Sequence, residues 1–410
     1  MTMRLLIFDP HDRGHYLSYV KYLLQAAPRA AEITLTVRKD ARQSVAFQQQ
    51  LLPHVNGAAL DATIRPDSYR DGEQLFEDFR AACGRHQPDH VWIPSADLLF
   101  KKATIARTLG VWRLPAGVEV ECGLIEIRCH RPPKHWRGYA RTAWDRAVLG
   151  AGRWTTLHTV DPTVCRWASS SWTGLSGRLH SIPDPVEPFS PIDKQTARRL
   201  LDIPCDGRYL VSVGVHSIPR KGTSILLEAF ARSALSGADR LLLAGPLGDD
   251  LRQRLHTEFA ELLHCRRIVL IDRYLDSSEV MHALAAADVV CTPYVDHFWS
   301  SAIALQAAQV QRPVLAPHQG WFGDMIPKFG LGTTVPSLDP GVFADALRNA
   351  LEASARFSVG DAARRLLAYS DAANFGRLWA TRLRARLRLP SDPEVRTWQW
   401  VTESSEGARH

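Results

Sequence analysis

The sequence predicts an α/β protein of two Rossmann-like, doubly wound domains facing across a cleft. Three observations carry that prediction. The chain has 410 residues, more than one hydrophobic core ordinarily serves. In each half, short apolar runs alternate with stretches whose apolar residues recur at helical spacing, the signature of parallel strands covered by helices. Between the halves lies HSIPDPVEPFSPID (180–193), where Pro183, Pro185, Pro188 and Pro191 forbid a continuing helix or a central strand. The domains therefore read as 1–187 and 188–370, followed by 371–410, a C-terminal helix and tail placed back on the first domain.

Taken in order, RLLIFDP (4–10) is a buried strand, HDRG breaks it, and 15–27 is a helix with Tyr16, Val20, Leu23 and Leu24 on one face. Strands follow at 33–37 and 90–94. The segment VEVECGLIEIRCH (118–130) reads as strand or hairpin, and 154–160 is a further apolar run. The second half repeats the plan: strands at 209–215, 240–246 and 267–271 alternate with helices at 224–235, 249–263 and 277–287. The stretch 292–323 reads as a loop, a buried helix of small residues and a buried strand ending in a glycine-containing loop. Ser300 or Ser301 is the N-cap of that helix. A basic helix occupies 376–389, and the tail beyond Pro390 lacks periodicity and is expected to fray.

An apolar content of 45% with 23% charged residues describes a globular enzyme. No run reaches the roughly 18 apolar residues of a membrane span, and the apolar segment 5–8 is too short for a signal peptide, so the expected location is cytoplasmic. The seven cysteines form no C-x-x-C pair and are expected to be reduced thiols rather than zinc ligands. The formal charge of +7 suits an anionic partner. Within 128–154, Arg128, Arg131, Lys134, Arg137, Arg141, Arg146 and Arg153 interleave with Trp136, Tyr139, Trp144 and Trp154. Nothing there resembles a nucleic-acid-binding fold, so nucleic acid is not an expected partner. The run reads either as a half-buried helix with a solvated basic face or as a peripheral contact with an anionic membrane or an acidic acceptor.

Ligands of open α/β sheets bind beyond the carboxyl ends of the strands. That directs attention to the loops after Asp9, Gly214, Gly245, Ile271 and Pro293. An N-terminus at Ser300 or Ser301 presents N–H groups and the positive end of a helix dipole, which suits a pyrophosphate.

The ordered segments HSIPDPVEP, VSVGVHSIPRKGTSILLEAF, LLLAGPLGD, RYLDSSEVMHALAAADVVCTPY, SSAIALQAAQVQRPVLAPHQGWFGDMI and GLGTTVPSLDP resemble the nucleotide-binding domain of a GT-B glycosyltransferase. The chain is most similar to glycosyltransferase family 4 across roughly 178–351. The resemblance implies transfer of a sugar from a nucleoside diphosphate sugar to an acceptor the sequence does not name, with retained configuration and neither metal nor cofactor. It places catalytic roles on Lys221, Arg220 and His130. It assigns donor contacts to Gly14, His15, Gly214, His216, Arg273, Ser300, Ser301 and Gln306, and an acceptor-side role to Asp97. His130 and His15 remain alternatives for contact with donor or acceptor.

The sequence also departs from the family. Val215 follows Gly214 where an arginine is usual, and the two motif glutamates align with Phe298 and Gln306. Three readings stay open: an active transferase with an altered donor site, a GT-B chain that has lost its chemistry and binds nucleotide, glycan or a partner enzyme, and another phosphate-handling enzyme such as an epimerase or phosphorylase.

Overall fold

The computed structural model describes residues 3–12, 14–68, 71–113, 117–131, 136–151 and 156–403. Lys134, Arg153 and Trp154 of the basic aromatic run lie outside the described residues, as do the side chains of His15 and Arg137. Contacts divide the chain into two compact units, Met1–Pro185 with Asp371–His410, and Val186–Ser370. The sequence reading set the first boundary after Glu187.

The first unit holds seven parallel strands, β1 (Met3–Phe8), β2 (Ala31–Arg38), β3 (Ala58–Ile64), β4 (His90–Ile93), β5 (Glu119–Gly123), β6 (Thr156–Thr159) and β7 (Leu179–Ser181). Their order is β3-β2-β1-β4-β5-β6-β7, so the winding reverses between β1 and β4. The central strands β1, β4, β5 and β6 are short and almost wholly buried because helices cover both faces of the sheet. On one face Phe8 packs edge-on to Phe79. On the other, Trp92 meets Trp379 of the helix Ala372–Arg386, which also lies against the helix His15–Ala26.

The second unit holds six parallel strands, β8 (Tyr209–Val213), β9 (Arg240–Ala244), β10 (Ile268–Ile271), β11 (Val289–Cys291), β12 (Val314–Pro317) and β13 (Gly332–Val335). The order β10-β9-β8-β11-β12-β13 reverses between β8 and β11. Its core packs Phe230, Leu241, Leu243 and Phe343, all fully buried.

Several local expectations change. Only Glu119–Gly123 of the 118–130 segment is a strand, because beyond it the N–H groups of Ile125 and Glu126 turn to the Asp97 carboxylate. The 249–263 helix is two helices, Asp249–Thr257 and Ala260–His264. The tail forms the helix Trp398–Glu403 rather than fraying at once. It is tied down where buried Asn374 accepts from the Arg396 N–H at 2.8 Å and donates to the Arg396 carbonyl at 2.9 Å. Three strands, β3, β7 and β13, were not read from the sequence at all; all three are edge strands.

Candidate active site

In the second unit, the reversal places the loop after β8 beside the loop after β11. β8 leads through Gly214 and His216 to a 3-10 turn, Pro219–Lys221, and then to the helix Thr223–Arg232. Gly222 joins turn to helix at φ 65°, and a Cβ there would lie 2.0 Å from the Pro293 carbonyl oxygen. Only glycine allows both the left-handed backbone and that approach. The turn therefore rests directly on the end of β11.

Two cations stand on this turn. Lys221 Nζ lies 2.7 Å from the Tyr294 hydroxyl and above the Tyr294 ring. The ammonium also crowds Gly214, where φ is 126° and a Cβ would come within 2.9 Å of Nζ. Arg220 is held three ways: its carbonyl accepts the Val295 N–H at 2.8 Å, Nη1 reaches His297 Nδ1 at 2.6 Å, and the guanidinium lies 5.1 Å from the centre of the Trp299 ring. Among the described residues neither Lys221 nor Arg220 forms an ion pair with a carboxylate. Most arginines nearby do: Arg252 pairs with Asp272 at 2.6 Å and Arg254 with Glu258 at 2.7 Å.

His297 is buried among aromatic rings, 5.1 Å from Tyr294, 4.8 Å from Trp299 and 5.3 Å from Phe322 between ring centres. The same loop is fixed from behind by the Trp321 N–H on the Phe298 carbonyl and by Gln319 Nε2 on the Tyr294 carbonyl. It ends at Ser301, the N-cap of the helix Ala302–Gln309. The Ser301 hydroxyl makes no capping bond and its carbonyl takes the Ala304 N–H at 3.1 Å, which leaves the Ala302 and Ile303 N–H groups to other acceptors. Ser300 is buried one residue before the cap, and its carbonyl lies 3.2 Å from His297 Nε2. Gln306 is half-buried on the helix.

Two predicted donor contacts are placed elsewhere. Arg273 follows β10, two strands away from β8, and its guanidinium forks onto Glu279 at 2.8 and 2.6 Å. Hydrogen bonds from Arg273 and the Asp276 N–H hold the Glu279 carboxyl at about 2, so this pair is committed to the start of the helix Ser277–Ala286. His216 turns inward. It is buried, its Nδ1 lies 3.0 Å from Thr223 Oγ1, and burial followed by the nearby Lys221 charge pushes its pKa down to about 4. A neutral ring bonded to the first residue of the following helix braces the cationic turn from beneath.

In the first unit the predicted residues are dispersed. Gly14 is the exposed N-cap of the helix His15–Ala26, with φ 76°. Asp97 does not offer a free carboxylate, since its oxygens accept from the N–H groups of Ile125 and Glu126 at 3.0 and 2.9 Å. Burial raises its pKa to about 6 against the pull of those two bonds. His130 lies 3.1 Å from Thr163 Oγ1 and 3.6 Å from Asp161, within the cap of the helix Pro162–Ser171. Asp97 and His130 thus brace loops at strand ends.

Sequence reasoning missed two clusters here. Asp9 and His11 form a pair at the end of β1, with Oδ1 and Nδ1 2.7 Å apart. The D-x-H spacing in the first loop was the available signal. Glu121 is fully buried, and its oxygens lie 2.7 Å from the Nε2 atoms of His90 and His158 and 3.1 Å from Trp92 Nε1. Burial would raise this carboxyl, yet the bonds from His158 and His90 prevail and hold it at about 2. Partners on two other strands, His90 and Trp92 on β4 and His158 on β6, left no trace in the sequence.

Two parallel, doubly wound units of this kind define the GT-B fold. Residues 207–353, which contain the cationic turn and the aromatic loop, match the family described as glycosyl transferases group 1. The D-inositol 3-phosphate glycosyltransferase 2 of Catenulispora acidiphila is 28% identical over 192 residues, 44% of this chain and 44% of that protein. The match thus spans under half the length of that relative. Among solved structures, sucrose-phosphate synthase from Thermosynechococcus elongatus is similar with a TM-score of 0.69 at 17% identity, covering 94% of this chain and 99% of that one. Anabaena Alr3699/HepE in complex with UDP gives 0.66 at 13% identity, covering 93% and 100%.

Proposed function

We propose that the protein is a glycosyltransferase that takes a sugar from a nucleoside diphosphate sugar and passes it to a hydroxyl of an acceptor. The observation that carries this reading is the pair Lys221 and Arg220, two half-buried cations on a rigid turn with no carboxylate ion pair among the described residues. Positive charge fixed in place and left uncompensated is suited to a diphosphate, which gains charge as the glycosidic bond breaks. The Ala302 and Ile303 N–H groups at the start of the helix Ala302–Gln309 add backbone donors. The family match and the UDP held by the HepE structure support a nucleotide on this unit. In this reading Gly214 leaves space for the Lys221 ammonium, Ser301 presents the helix start, and Gln306 addresses the ribose.

Calorimetry with uridine, guanosine and adenosine diphosphates tests the reading. Binding of one of them is expected, and Lys221→Ala should weaken it by about 1.5–3 kcal/mol, the range for hydrogen bonds to charged groups. No binding by any, or unchanged binding in the variant, removes the phosphate site. Retention of configuration, with the departing phosphate taking the acceptor proton, follows from the family resemblance; so does independence of added metal. The anomer of the product by NMR, and activity in the presence of a chelator, test each.

A second reading rests on the Phe298 and Gln306 positions, where carboxylates are usual: a chain that binds nucleotide without turnover. A panel of nucleoside diphosphate sugars separates the two by nucleotide release.

The helix Trp136–Ala151 supports a peripheral contact with anionic lipid. Trp136, Tyr139 and Trp144 are 76%, 62% and 54% exposed, and Arg141 lies exposed beside them. Aromatic rings beside arginines are the composition of interfacial helices. No helix among the described residues is long and apolar enough to cross a membrane. Sedimentation with phosphatidylserine vesicles should pull the protein down and lose it in salt. Equal behaviour with neutral vesicles removes the electrostatic part.

A further inference from the structure

We propose that Asp9 and His11 form the hydroxyl-binding group for the acceptor: His11 Nε2 accepts a hydrogen bond from an acceptor hydroxyl, and Asp9 is the positioning residue behind it. This rests on the glycosyltransferase reading and names the chemistry of the acceptor at one point of contact.

The pair lies beyond the carboxyl end of β1, where the sheet order reverses between β1 and β4. That is the place where open α/β sheets hold their ligands. The Asp9 Oδ1 to His11 Nδ1 distance is 2.7 Å, and a carboxylate accepts only, so the proton of the neutral ring sits on Nδ1. Nε2 is then an acceptor with its lone pair at the opposite end of the ring. His11 is 23% exposed and Asp9 1% exposed, so the ring, not the carboxylate, is the part a solute meets.

The geometry is held rather than incidental. His11 stacks on Tyr16 with ring centres 3.8 Å apart and planes 16° from parallel. The Asp9 N–H bonds the Thr36 carbonyl, and the loop is tied by Ser44 Oγ on the Asp12 carbonyl at 2.7 Å. Arg38 reaches Asp12 at 3.2 Å and Asp40 through a second nitrogen, which gives that cation its own counter-charges. Among the described residues the charged and titratable groups around His11 are Asp9, Asp12, Tyr16 and the paired Arg38. Asp9 Oδ2 is buried and has no hydrogen-bond donor among the described residues.

The contrast with His130 is instructive, because that ring already engages Thr163 and Asp161. With the ring neutral, the lone pair at Nε2 is matched by a donor, and a neutral hydroxyl as in a polyol or sugar supplies one.

The test uses the full chain labelled with nitrogen-15 at histidine, with glycerol, myo-inositol and glucose as probes, and uridine diphosphate binding measured separately. His11 should show the Nδ1–H tautomer, and at least one probe should shift its Nε2 resonance. Asp9→Asn should change the tautomer. With the donor that releases nucleotide, His11→Ala and Asp9→Asn should lower turnover of the responding probe tenfold or more, and His11→Gln should recover part of it, while uridine diphosphate affinity stays within twofold. An Nε2–H tautomer, a resonance no probe moves, or wild-type turnover in His11→Ala overturns the proposal. Loss of uridine diphosphate binding in the unmodified chain would instead count against the donor site, and leaves the His11 titration to be read by itself.

Discussion

Arg220 Nη1 points at His297 Nδ1 across 2.6 Å. A guanidinium can only donate, so Nδ1 must be the accepting nitrogen. The other nitrogen lies 3.2 Å from the Ser300 carbonyl, which can only accept, and so carries the proton. His297 is thereby fixed as a neutral Nε2–H tautomer that aims an arginine on one side and braces the approach to Ser301 on the other.

Replacing His297 by phenylalanine keeps the aromatic packing and removes both bonds. Nucleoside diphosphate affinity should fall about tenfold, roughly the 1.4 kcal/mol of one hydrogen bond that orients a charge. Calorimetry reads it. Affinity equal to that of the unaltered chain would show that Arg220 does not address the phosphates.

Gln306→Glu returns a carboxylate to the family's usual position on the helix Ala302–Gln309. Donor binding should tighten about tenfold, because an ionised acceptor roughly doubles the strength of a hydrogen bond to a ribose hydroxyl. If affinity stays the same, Gln306 faces away from the nucleotide.

His216 makes stability depend on pH. Its folded-state pKa, about 4, lies below the ordinary 6.5, so the native chain keeps the ring neutral while the unfolded chain takes up a proton. The contribution is complete above about pH 6.5 and is lost as pH falls from there through 4, by up to roughly 3 kcal/mol. Urea unfolding at pH 7 and pH 4.5 should show a smaller acid loss for His216→Asn than for the unaltered chain. Lys221→Met should raise the His216 pKa in an NMR titration, since the ammonium is the second cause of its depression.

Glu121→Gln tests the buried carboxylate of the first unit. Its bonds to His90, His158 and Trp92 are made out of water, so losing the charge should cost about 3–5 kcal/mol, read as a lower urea midpoint. A loss under about 1 kcal/mol would mean the cluster tolerates an amide, with one imidazole turned to match it.

The legible parts of the fold were those written in local periodicity. β8, β9 and β10 are short, mostly apolar runs, YLVSV, RLLLA and IVLI, spaced by helical stretches as parallel strands are, and the helix of small residues after Ser301 stood out the same way. β3, with Ala58, Ala59, Asp61 and Ala62, has little strand propensity and is set by its pairing with β2. The site divides similarly. Lys221 and Arg220 were visible because turn, strand and helix are contiguous. Arg273 misled because its partner, Glu279, depends on the local helix start rather than on the strand end. Glu121 was invisible, because its partners come from the strands on either side of it, His90 and Trp92 from β4 and His158 from β6.

The chain enters the second unit at Val186 and leaves it at Ser370, and the Val186 N–H is hydrogen-bonded to the Ser370 carbonyl at 2.8 Å. Topologically the second unit is a cassette inserted into the first, its entry and exit clasped together. The sheet that carries Asp9 and His11 is finished only when Trp379 arrives from the far side of that insertion, so a fragment ending at Pro185 lacks a wall of its own core. A short bridge from Pro185 to Asp371 should instead leave that half whole.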